Sequence, residues 1–377
     1  MSKHALLSAS SSHRWLSCPP SAKLCDGIDD ETSTYALQGT DAHSLCEYKV
    51  NKALGKDTSN PTDSLSYFDS EMDDLTDEYR NFVLEELEKT KEYCKDPEVL
   101  IEAKLDYSKW VPDGFGTGDC IIVADNEMEI IDFKYGLGVL VDAKDNPQMM
   151  CYALGAIDLF DGIYDIEQVK MTIFQPRRSN VSSHTISKAD LLKWADEVLS
   201  PTAKLAYEGK GEFMAGDHCQ FCKVKATCKK RAEANLELAK YDFEEPVELT
   251  TDEIASILPT IDKLVSWAND VKAYALKQAT SGVHFNGYKV VEGRSVRKFT
   301  DEDTVAKVVK DAGFDPYEKK MLGITAMTAL LGKKKFNELL GDLIHKAPGK
   351  PTIVPEDDKR PEINTAQSDF KDNKGGQ

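Results

Sequence analysis

An aspartate and a lysine stand two positions apart at the end of an apolar run, in the segment IIDFKYG at residues 130–136. Successive side chains of a β-strand point to opposite faces, so Asp132 and Lys134 share a face if the run is a strand. A carboxylate binds divalent metal ions, and an adjacent ammonium positions water or stabilises negative charge in a transition state. The pair therefore predicts either a hydrolytic site or a plain surface ion pair, and the three-residue pattern by itself favours the ion pair.

Two further carboxylates occupy the apolar runs that precede this pair. Glu102 lies in the run VLIEAKLDY, and Asp119 follows the glycines of GFGTG in the next run. Carboxylates on neighbouring strands can meet at one edge of a sheet, where Mg²⁺ typically takes one or two of them together with phosphate and water. Such an ion polarises a phosphoryl oxygen and lowers the pKa of a bound water. Asp119, Asp132 and Lys134 therefore have the types that phosphodiester hydrolysis needs, whereas Glu102 also suits an ordinary solvent-facing strand position.

Two polar pairs with four-residue spacing lie in the flanking segments. Gln148 and Tyr152 stand one helical turn apart in the segment after the Asp–Lys run, and His43 and Glu47 have the same spacing in an upstream segment. A lone histidine is more often a core or surface residue than a metal ligand. These pairs therefore indicate a site only in combination with the carboxylates.

Hydrophobic periodicity predicts the elements that must carry these residues. Two helices come first, three strands follow with a hairpin signal in ADNE, and a helix capped by Asn146, another strand and a helix started by Ser187 complete the block. The strand–helix–strand step predicts an α/β fold with a mixed sheet covered by helices. The predicted bounds are 36–54 and 69–93 for the first helices, 99–107, 116–125 and 127–136 for the strands, and 146–160, 169–176 and 187–209 for the rest.

The chain beyond residue 241 carries no motif whose chemistry can be derived. Its sequence predicts first a helical hairpin or a helix kinked at Pro259. A turn at Asn286-Gly287 between two short strand runs is predicted next, followed by two helical stretches. The Pro- and charge-rich end has little to bury. We therefore expect a first domain over 1–241, a small α+β and mainly helical domain over 242–345, and an extended or disordered tail over 346–377.

Composition limits the classes of partner. The 377 residues carry a net charge of −18, which argues against a general polyanion binder with a large basic face. An enzyme that grips nucleic acid in one local groove remains compatible with that charge. No apolar run approaches the roughly 18 residues of a membrane-spanning helix, and the first residues lack the apolar core of a signal peptide. We therefore expect a cytoplasmic protein without a membrane partner.

Three of the nine cysteines form a C-x₂-C-x₅-C run, namely Cys219, Cys222 and Cys228. An odd number of cysteines in a long chain without an export signal favours metal binding or burial over a disulfide framework. Three thiolates leave a four-ligand site one short, and Cys18 or Cys25 near the N-terminus offers the fourth. Spacing alone does not choose between zinc and an iron–sulfur cluster. The other cysteines are expected to be buried small hydrophobes: Cys46, Cys94, Cys120 and Cys151.

Four of these patterns, taken in order, resemble the RecB-like branch of the PD-(D/E)XK nucleases over roughly residues 8–232. They are GxxxHxxxE from Gly39, GxxD from Gly116, the IIDFKYG strand and a QxxxY helix from Gln148. The combination is far more specific than any one piece. The resemblance implies a restriction-endonuclease-like fold, with a mixed central sheet flanked by helices.

The same resemblance implies a role for each matching residue. Asp119 and Asp132 would bind Mg²⁺ or Mn²⁺ with His43 as a further ligand, and Lys134 would serve the nucleophilic water. Glu47 would either orient His43 or simply pack. Asp132 stands where many relatives carry glutamate, which preserves ligation with a shorter reach. The helix pair would shape the site and contact the DNA backbone, namely Gln148 and Tyr152.

The cysteines resemble a second feature of this branch. In AddB-type members, one cysteine before a proline near the start and three late cysteines with this spacing hold a 4Fe–4S cluster. The four implied ligands are Cys18, Cys219, Cys222 and Cys228, with zinc as the lesser alternative to the cluster. Cys18 precedes Pro19, whereas Cys25 lacks such a proline. The cluster would tie the two ends of the nuclease domain together across a loop of roughly 200 residues.

The arrangement as a whole is similar to phage- or prophage-encoded nucleases with a small appended domain. We therefore expect a metal-dependent DNA nuclease, an exonuclease on DNA ends or single strands, in phage DNA replication or recombination. A phage single-strand-binding or annealing protein is a further expected partner. The alternatives are a non-catalytic nucleic-acid-binding or scaffold protein on the same fold and a zinc-stabilised interaction module. Basic residues cluster beside the late cysteines and after the last core strand. We expect them to form either a phosphate-tracking rim or an ordinary solvated face. They are Lys223, Lys225, Lys229, Lys230, Arg231, Arg177 and Arg178.

Overall fold

Five strands form one mixed sheet in the computed structural model of the chain. They are β1 (Glu98–Asp106), β2 (Phe115–Val123), β3 (Asn126–Phe133), β4 (Ile166–Gln175) and β5 (Asn180–Ser187). Their spatial order follows the sequence, and only β3 and β4 run parallel to each other. Parallel neighbours need a crossover connection, and here a helix supplies it. The structure describes residues 5–29, 33–237, 250–293, 299–317 and 321–345, and beyond them residues 353, 354, 358 and 360.

Twelve α-helices accompany the sheet within the described residues. In chain order they are α1 (Ser12–Ser17), α2 (Ser21–Cys25), α3 (Thr34–Ala53), α4 (Ser70–Lys91), α5 (Pro147–Leu159), α6 (Lys188–Trp194), α7 (Ser200–Glu208), α8 (Lys229–Leu236), α9 (Thr251–Thr280), α10 (Glu302–Asp311), α11 (Ile324–Leu331) and α12 (Lys333–Leu340). A π-helical turn at Ala195–Leu199 joins α6 to α7 just before Pro201, where the missing amide hydrogen of proline would interrupt a regular ladder.

The alternation of side chains along the strands divides the core into two layers. In β3, Met128 and Ile130 pack on the α5 side, whereas Ile131 and Phe133 pack on the side of α3 and α4. Helix α5 is buried almost all round, because the sheet covers one face and α1 and α6 cover others. The mixed α/β fold with helices on both faces of the sheet is therefore as expected from the sequence.

The start of α5 is fixed by its sequence. The side chain of Asn146 accepts hydrogen bonds from the backbone N–H groups of Gln148 and Met149, and Pro147 occupies the first turn. Both features satisfy or remove donors that a helix N-terminus leaves unpaired. The predicted cap is confirmed, and it holds Gln148 in the first turn of the helix.

Strand β5 was not predicted from the sequence. Its residues, NVSSHTIS, are mostly polar, and it lies at the edge of the sheet with one neighbour, β4. An edge strand with little apolar side-chain content gives no period-two hydrophobic signal. The remaining predicted strands and helices of the first 209 residues are present with ends shifted by one to three residues.

The chain divides into two compact units, residues 1–291, which contain the sheet, and residues 292–377. Helix α9 belongs to the first unit and is one helix with Pro259 inside it, so of the two predicted alternatives the hairpin is wrong and the single helix is present. Residues 282–293 form no strand, although Gly287 adopts the left-handed conformation of a turn (φ 81°). Most of the predicted tail over 346–377 lies outside the described residues. Within the described part, every helix is too short or too polar to traverse a lipid bilayer.

Candidate metal centre and cysteine cluster

The predicted carboxylates lie where β2 and β3 separate. The ladder between these strands ends at Cys120 and Ile131, so the next facing pair in register is Asp119 and Asp132. In place of the next ladder bond, Asp119 Oδ2 accepts a hydrogen bond of 2.7 Å from the backbone N–H of Phe133. The end of the ladder therefore brings two carboxylates from different strands side by side.

A third carboxylate reaches this point from β1. Residues on either side of Glu102 pair regularly with β2, but the pair of Glu102 with Asp119 is missing from the ladder. Glu102 has φ 51°, a left-handed conformation that costs a residue other than glycine about 1–3 kcal/mol. The strained residue lies where three acidic side chains converge. Backbone strain of this kind is concentrated at functional sites in proteins.

His43 from α3 completes this cluster. Its Nδ1 lies 3.4 Å from Asp119 Oδ1 and 3.9 Å from Glu102 Oε1, and its ring packs edge-on against Phe133. The ligand atoms of His43, Glu102 and Asp119 all lie within 4.8 Å of one another. In the described part of the chain, these are the only three His, Cys, Asp or Glu residues that approach so closely. The three residues could hold one divalent cation.

The electrostatics of the cluster favour a cation. Burial disfavours the imidazolium of His43, but Asp119 and Glu102 outweigh it and raise its pKa to about 10. Burial also opposes the charge on Asp119, yet His43 and Lys134 hold the pKa of that carboxyl below its usual range. Burial and the neighbouring charge of Asp119 raise the pKa of Asp132. The unfavourable proximity of the two carboxylates is relieved by positive charge between them.

Lys134, Gln148 and Tyr152 surround Asp132 on the α5 side of the sheet. Lys134 Nζ lies 2.8 Å from Asp132 Oδ2, and Gln148 Nε2 donates to Asp132 Oδ1 at 3.3 Å. Gln148 Oε1 lies 3.4 Å from Lys134 Nζ, and Gln148 Nε2 lies 3.2 Å from the Tyr152 hydroxyl. Asp132 is only 2% exposed, and its Oδ2 is buried without a well-directed hydrogen bond. The structure therefore joins the D-x-K and Q-x-x-x-Y patterns in one network, with a carboxylate oxygen still able to bind a cation.

The structure explains why residue 116 is glycine, which the sequence alone does not. It lies within β2, and a Cβ atom there would meet Cε1 of the buried Tyr152 ring at 2.8 Å, closer than such atoms approach. The first glycine of the G-x-x-D pattern thus makes room for the tyrosine of the Q-x-x-x-Y pattern. Gly39, by contrast, has no atom within 4 Å of a Cβ placed on it, and nothing in the structure explains that glycine.

Replacing Gly116 with alanine is expected to lower any activity of this site roughly 10- to 100-fold without unfolding the protein, because Tyr152 must move and Gln148 moves with it. The matched control is Gly118→Ala in the same strand, where the added Cβ would lie 3.0 Å from the end of the Leu105 side chain and 3.6–3.7 Å from Ile121, with no contact to Tyr152 among its nearest atoms. Activity and circular dichroism are measured on both variants. An equal loss in both, or none in Gly116→Ala, contradicts this role.

Two residues differ from their predicted parts. Glu47 does not orient His43, because it lies exposed while His43 faces Asp119 and Glu102; partial desolvation and the charge of Glu102 raise the pKa of Glu47. Glu102 joins the cluster although the sequence left it an equally good surface residue. The signal that would have identified it is its register, directly opposite Asp119 across the β1–β2 ladder.

The late cysteines meet Cys18 in a second place. Cys18, Cys219, Cys222 and Cys228 line one small cavity, and Cys18 ends α1. The backbone N–H of Gly216 donates to Cys219 Sγ at 3.4 Å. Chain segments roughly 200 residues apart in sequence therefore bring four thiols together. The structure brings together the four predicted cluster ligands.

Cys25 lies beside this group. Its Sγ is 3.7 Å from Cys222 Sγ, and this contact lowers the pKa of the Cys25 thiol. Both cysteines weighed from the sequence as a fourth ligand thus lie near the late cysteines. Of the four cysteines predicted to be buried, Cys94 is only partly so.

Most of the predicted basic rim is engaged in contacts within the chain. Lys225 and Arg231 both pair with Asp270 of α9, Lys230 with Glu233, and Arg177 with Glu71. Arg231 is almost fully buried. The interpretation as a continuous phosphate-tracking rim therefore does not hold for these residues.

The sheet and the site together define a mixed α/β protein with a candidate cation centre where two strands separate. The chain belongs to the family described as "Protein of unknown function (DUF2800)", whose model matches residues 4–361. A solved structure titled "Crystal structure of SSO0001" is similar at 13% identity with a TM-score of 0.23, over 51% of this chain and 98% of that one. A similarity of that size does not establish a shared fold.

Proposed function

We propose that this protein is a metal-dependent deoxyribonuclease that hydrolyses phosphodiester bonds, with exonuclease action on DNA ends or single strands in phage replication or recombination. The observation that carries the proposal is the convergence of Asp119, Asp132 and Lys134 with His43 at one edge of the sheet. A surface ion pair does not need the second and third carboxylates. It also does not need a left-handed glutamate at the same point.

The donor set fits Mg²⁺ or Mn²⁺. Carboxylate oxygens are the ligands that both ions prefer, and one imidazole is compatible with Mn²⁺. The buried Asp132 Oδ2 lies 2.8 Å from Lys134 Nζ but makes no well-directed hydrogen bond, so it keeps a lone pair for a cation beside these donors. His43, Glu102 and Asp119 would hold the ion, because their ligand atoms lie within 4.8 Å of one another, and Asp132 would add a carboxylate from the facing strand. When bound, it would supply Lewis-acid polarisation of a phosphoryl oxygen and a more acidic water.

The residues of the chain supply the remaining steps. Lys134, held against Asp132 and Gln148, is placed to orient the attacking water or to neutralise charge on a non-bridging phosphate oxygen. Gln148 keeps the Lys134 ammonium and the Asp132 carboxylate in register through hydrogen bonds to both. Tyr152 in turn orients the Gln148 amide. The network thus fixes the positions of the Lys134 ammonium and the Asp132 carboxylate before DNA binds.

The test is digestion of linear DNA labelled at the 5′ or the 3′ end, as duplex and as single strand, with Mg²⁺, Mn²⁺ or EDTA. The proposal expects label release that requires the metal and begins at an end. Binding of DNA without cleavage under every metal condition would overturn it and favour the non-catalytic binding protein. Cleavage of closed circular DNA at the same rate would overturn the exonuclease part alone.

We also propose that the cysteine group holds a 4Fe–4S cluster. One zinc ion with four thiolates brings the sulfurs about 3.8 Å apart, from Zn–S bonds of about 2.3 Å. Among the described residues no three of these sulfurs lie within 4.8 Å of one another, so the four thiols stand farther apart than the ligands of one zinc ion, whereas Cys25 and Cys222, at 3.7 Å, match the zinc spacing. The N–H group directed at Cys219 Sγ is the kind of contact that tunes cluster sulfurs.

The fourth ligand can be assigned by comparing Cys18→Ser with Cys25→Ser. Cys18 is expected to be the ligand because it lines the same cavity as the three late cysteines, whereas Cys25 does not line that cavity and meets the group through Cys222. Iron and sulfide per chain, after anaerobic purification, are expected to fall at least about twofold in Cys18→Ser and to stay near wild type in Cys25→Ser. The reverse order would assign Cys25 instead.

A further inference from the structure

A groove with a volume of about 690 Å³ opens beside the candidate metal centre, and Lys134 and Gln148 form part of its wall. Its other walls come from the N-terminal segment 5–14, the loop 139–146 and the tip of the cysteine loop, Phe221 and Lys223. Pockets of this volume accommodate a drug-sized molecule, which corresponds to two or three nucleotides and excludes a duplex. The groove thus leads directly away from the reacting position.

The N-terminal wall contains a hydroxyl without a partner. Ser12 is 1% exposed, it lines the groove, and its Oγ accepts and donates no hydrogen bond within the described residues. An unpaired buried hydroxyl costs about 1–3 kcal/mol. Ser8, Ser10 and Ser11 of the same wall add further hydroxyls. A ligand with several acceptor oxygens, such as a phosphodiester, would satisfy Ser12 from the groove side.

The opposite wall is a loop that is held rigidly with apolar side chains outward. Gln175 donates to the carbonyl oxygens of Gly136 and Val139 at 3.0 Å, and Asn180 donates to Val141 O at 2.9 Å. Val139 and Leu140 nevertheless line the groove half exposed. These hydrogen bonds hold the loop backbone while the two side chains line the groove. They form an apolar surface against which a flat base can pack.

The cysteine loop adds an aromatic ring to the same groove. Phe221 is 63% exposed although both its neighbours in the motif, Cys219 and Cys222, are buried. An exposed aromatic ring in a groove with basic side chains is typical of stacking platforms for single-stranded nucleic acid. The charges of the groove are Arg14, Lys134, Lys144 and Lys223 against Asp26, Asp142 and Asp145. Four cations against three carboxylates give the groove a net charge of +1 in a chain of net charge −18, so it is a less repulsive surface for a polyanion than the chain as a whole.

We propose that this groove binds a single-stranded DNA segment of two or three nucleotides next to the scissile bond. Ser12 takes a backbone phosphate, Phe221 stacks on one base, and Val139 with Leu140 covers another. The inference rests on the proposed nuclease only for the position of the scissile bond. Bases are accessible to such surfaces in single strands and not in a duplex.

The test is fluorescence anisotropy with a labelled oligothymidylate, in EDTA, on the full chain with its cysteine site loaded. Phe221→Ala is expected to weaken binding roughly 5- to 150-fold and Phe221→Tyr to restore it, because stacking on one base is lost and regained. The matched control is Tyr93→Ala. Tyr93 is equally exposed, but its hydroxyl lies near Glu127 at the other end of β3. Its loss is expected to leave affinity unchanged.

Ser12→Ala separates a ligand contact from a structural role. Removal of an unpaired buried hydroxyl is expected to leave the melting temperature of the free protein unchanged or higher while binding weakens several-fold. A lower melting temperature with unchanged affinity would show that the hydroxyl serves the fold, and that result overturns the proposal. Unchanged affinity in Phe221→Ala, or tighter binding of a blunt duplex of the same length, overturns it as well. The binding experiment is done in EDTA, so its result does not depend on whether the protein cleaves DNA. If binding fails, the end-label digestion still tests the nuclease proposal separately.

Discussion

Replacing Asp132 with asparagine is expected to lower metal-dependent DNA cleavage by at least about a hundredfold while the protein stays folded. Asp132 is the carboxylate that faces Asp119, pairs with Lys134 and accepts from Gln148. Asparagine keeps the shape of the side chain but supplies a weaker metal ligand and no negative charge. The measurement is label release from linear DNA in Mn²⁺, with circular dichroism as the check on folding.

The stability of this variant is expected to stay within a few degrees of the wild-type melting temperature, because two effects oppose each other. Loss of the charge removes the cost of burying a carboxylate and its repulsion from Asp119, the two effects that raise the pKa of Asp132. It also leaves Lys134 without its partner, but the Lys134 side chain is 27% exposed and can reach water. Catalytic carboxylates held close together commonly show this separation of activity from stability.

The matched control is Glu129→Gln. Glu129 lies three residues earlier in the same strand, is equally buried and also pairs with a lysine, Lys170, at 3.1 Å. It lies on the other face of the sheet, where Lys170 also pairs with Glu86 of α4. Full specific activity of the folded Glu129 variant is expected. Equal losses in the two variants would mean that any buried carboxylate of β3 suffices for the effect, and the assignment of Asp132 would fail.

The layout of the sheet and its flanking helices could be predicted because the hydrophobic pattern alone carries it. Strands β1 to β4 are apolar runs, and α5 begins with a cap and a proline. Strand β5 was missed because its polar side chains are fixed by pairing with β4 and not by burial. That strand proves important, since its Asn180 helps to hold the loop that walls the groove.

Glu102 and Gly116 show why part of the site could not be predicted. The contribution of Glu102 depends on an interrupted ladder and a left-handed backbone, and neither leaves a mark in the local sequence. The need for glycine at 116 arises from a ring 36 positions later, which only the packed structure brings to it. Residue types at fixed spacing predicted the chemistry, whereas tertiary contacts decide which neighbours complete it.

If the proposed cluster is present, replacing Cys219 with serine is expected to remove its iron and sulfide and to lower the melting temperature by about 10–20 °C. A link between Cys18 and the late cysteines closes a loop of roughly 200 residues. Constraint of such a loop in the unfolded chain is worth about 5 kcal/mol by the relation used for disulfides, and about 2–4 °C accompanies each kcal/mol in a domain of this size. Cys94→Ser is the control, since Cys94 is partly exposed near the end of α4 and lies outside the cavity.

The same substitution is expected to reduce cleavage at temperatures where the protein is still folded. The cysteine site would act on the cleavage site through packed elements of the fold. Cys18 ends α1, whose buried Trp15 packs in the core against which α5 is seated. Helix α5 carries Gln148 and Tyr152, whereas the proposed cation ligands come from α3 and from strands β1, β2 and β3. Turnover should therefore fall while the affinity for Mn²⁺, followed by calorimetry with Cys219→Ser and the wild type, changes by less than about twofold. Loss of Mn²⁺ affinity together with turnover would show that the cysteine site supports the whole sheet edge, and unchanged iron content would remove Cys219 from the ligand set.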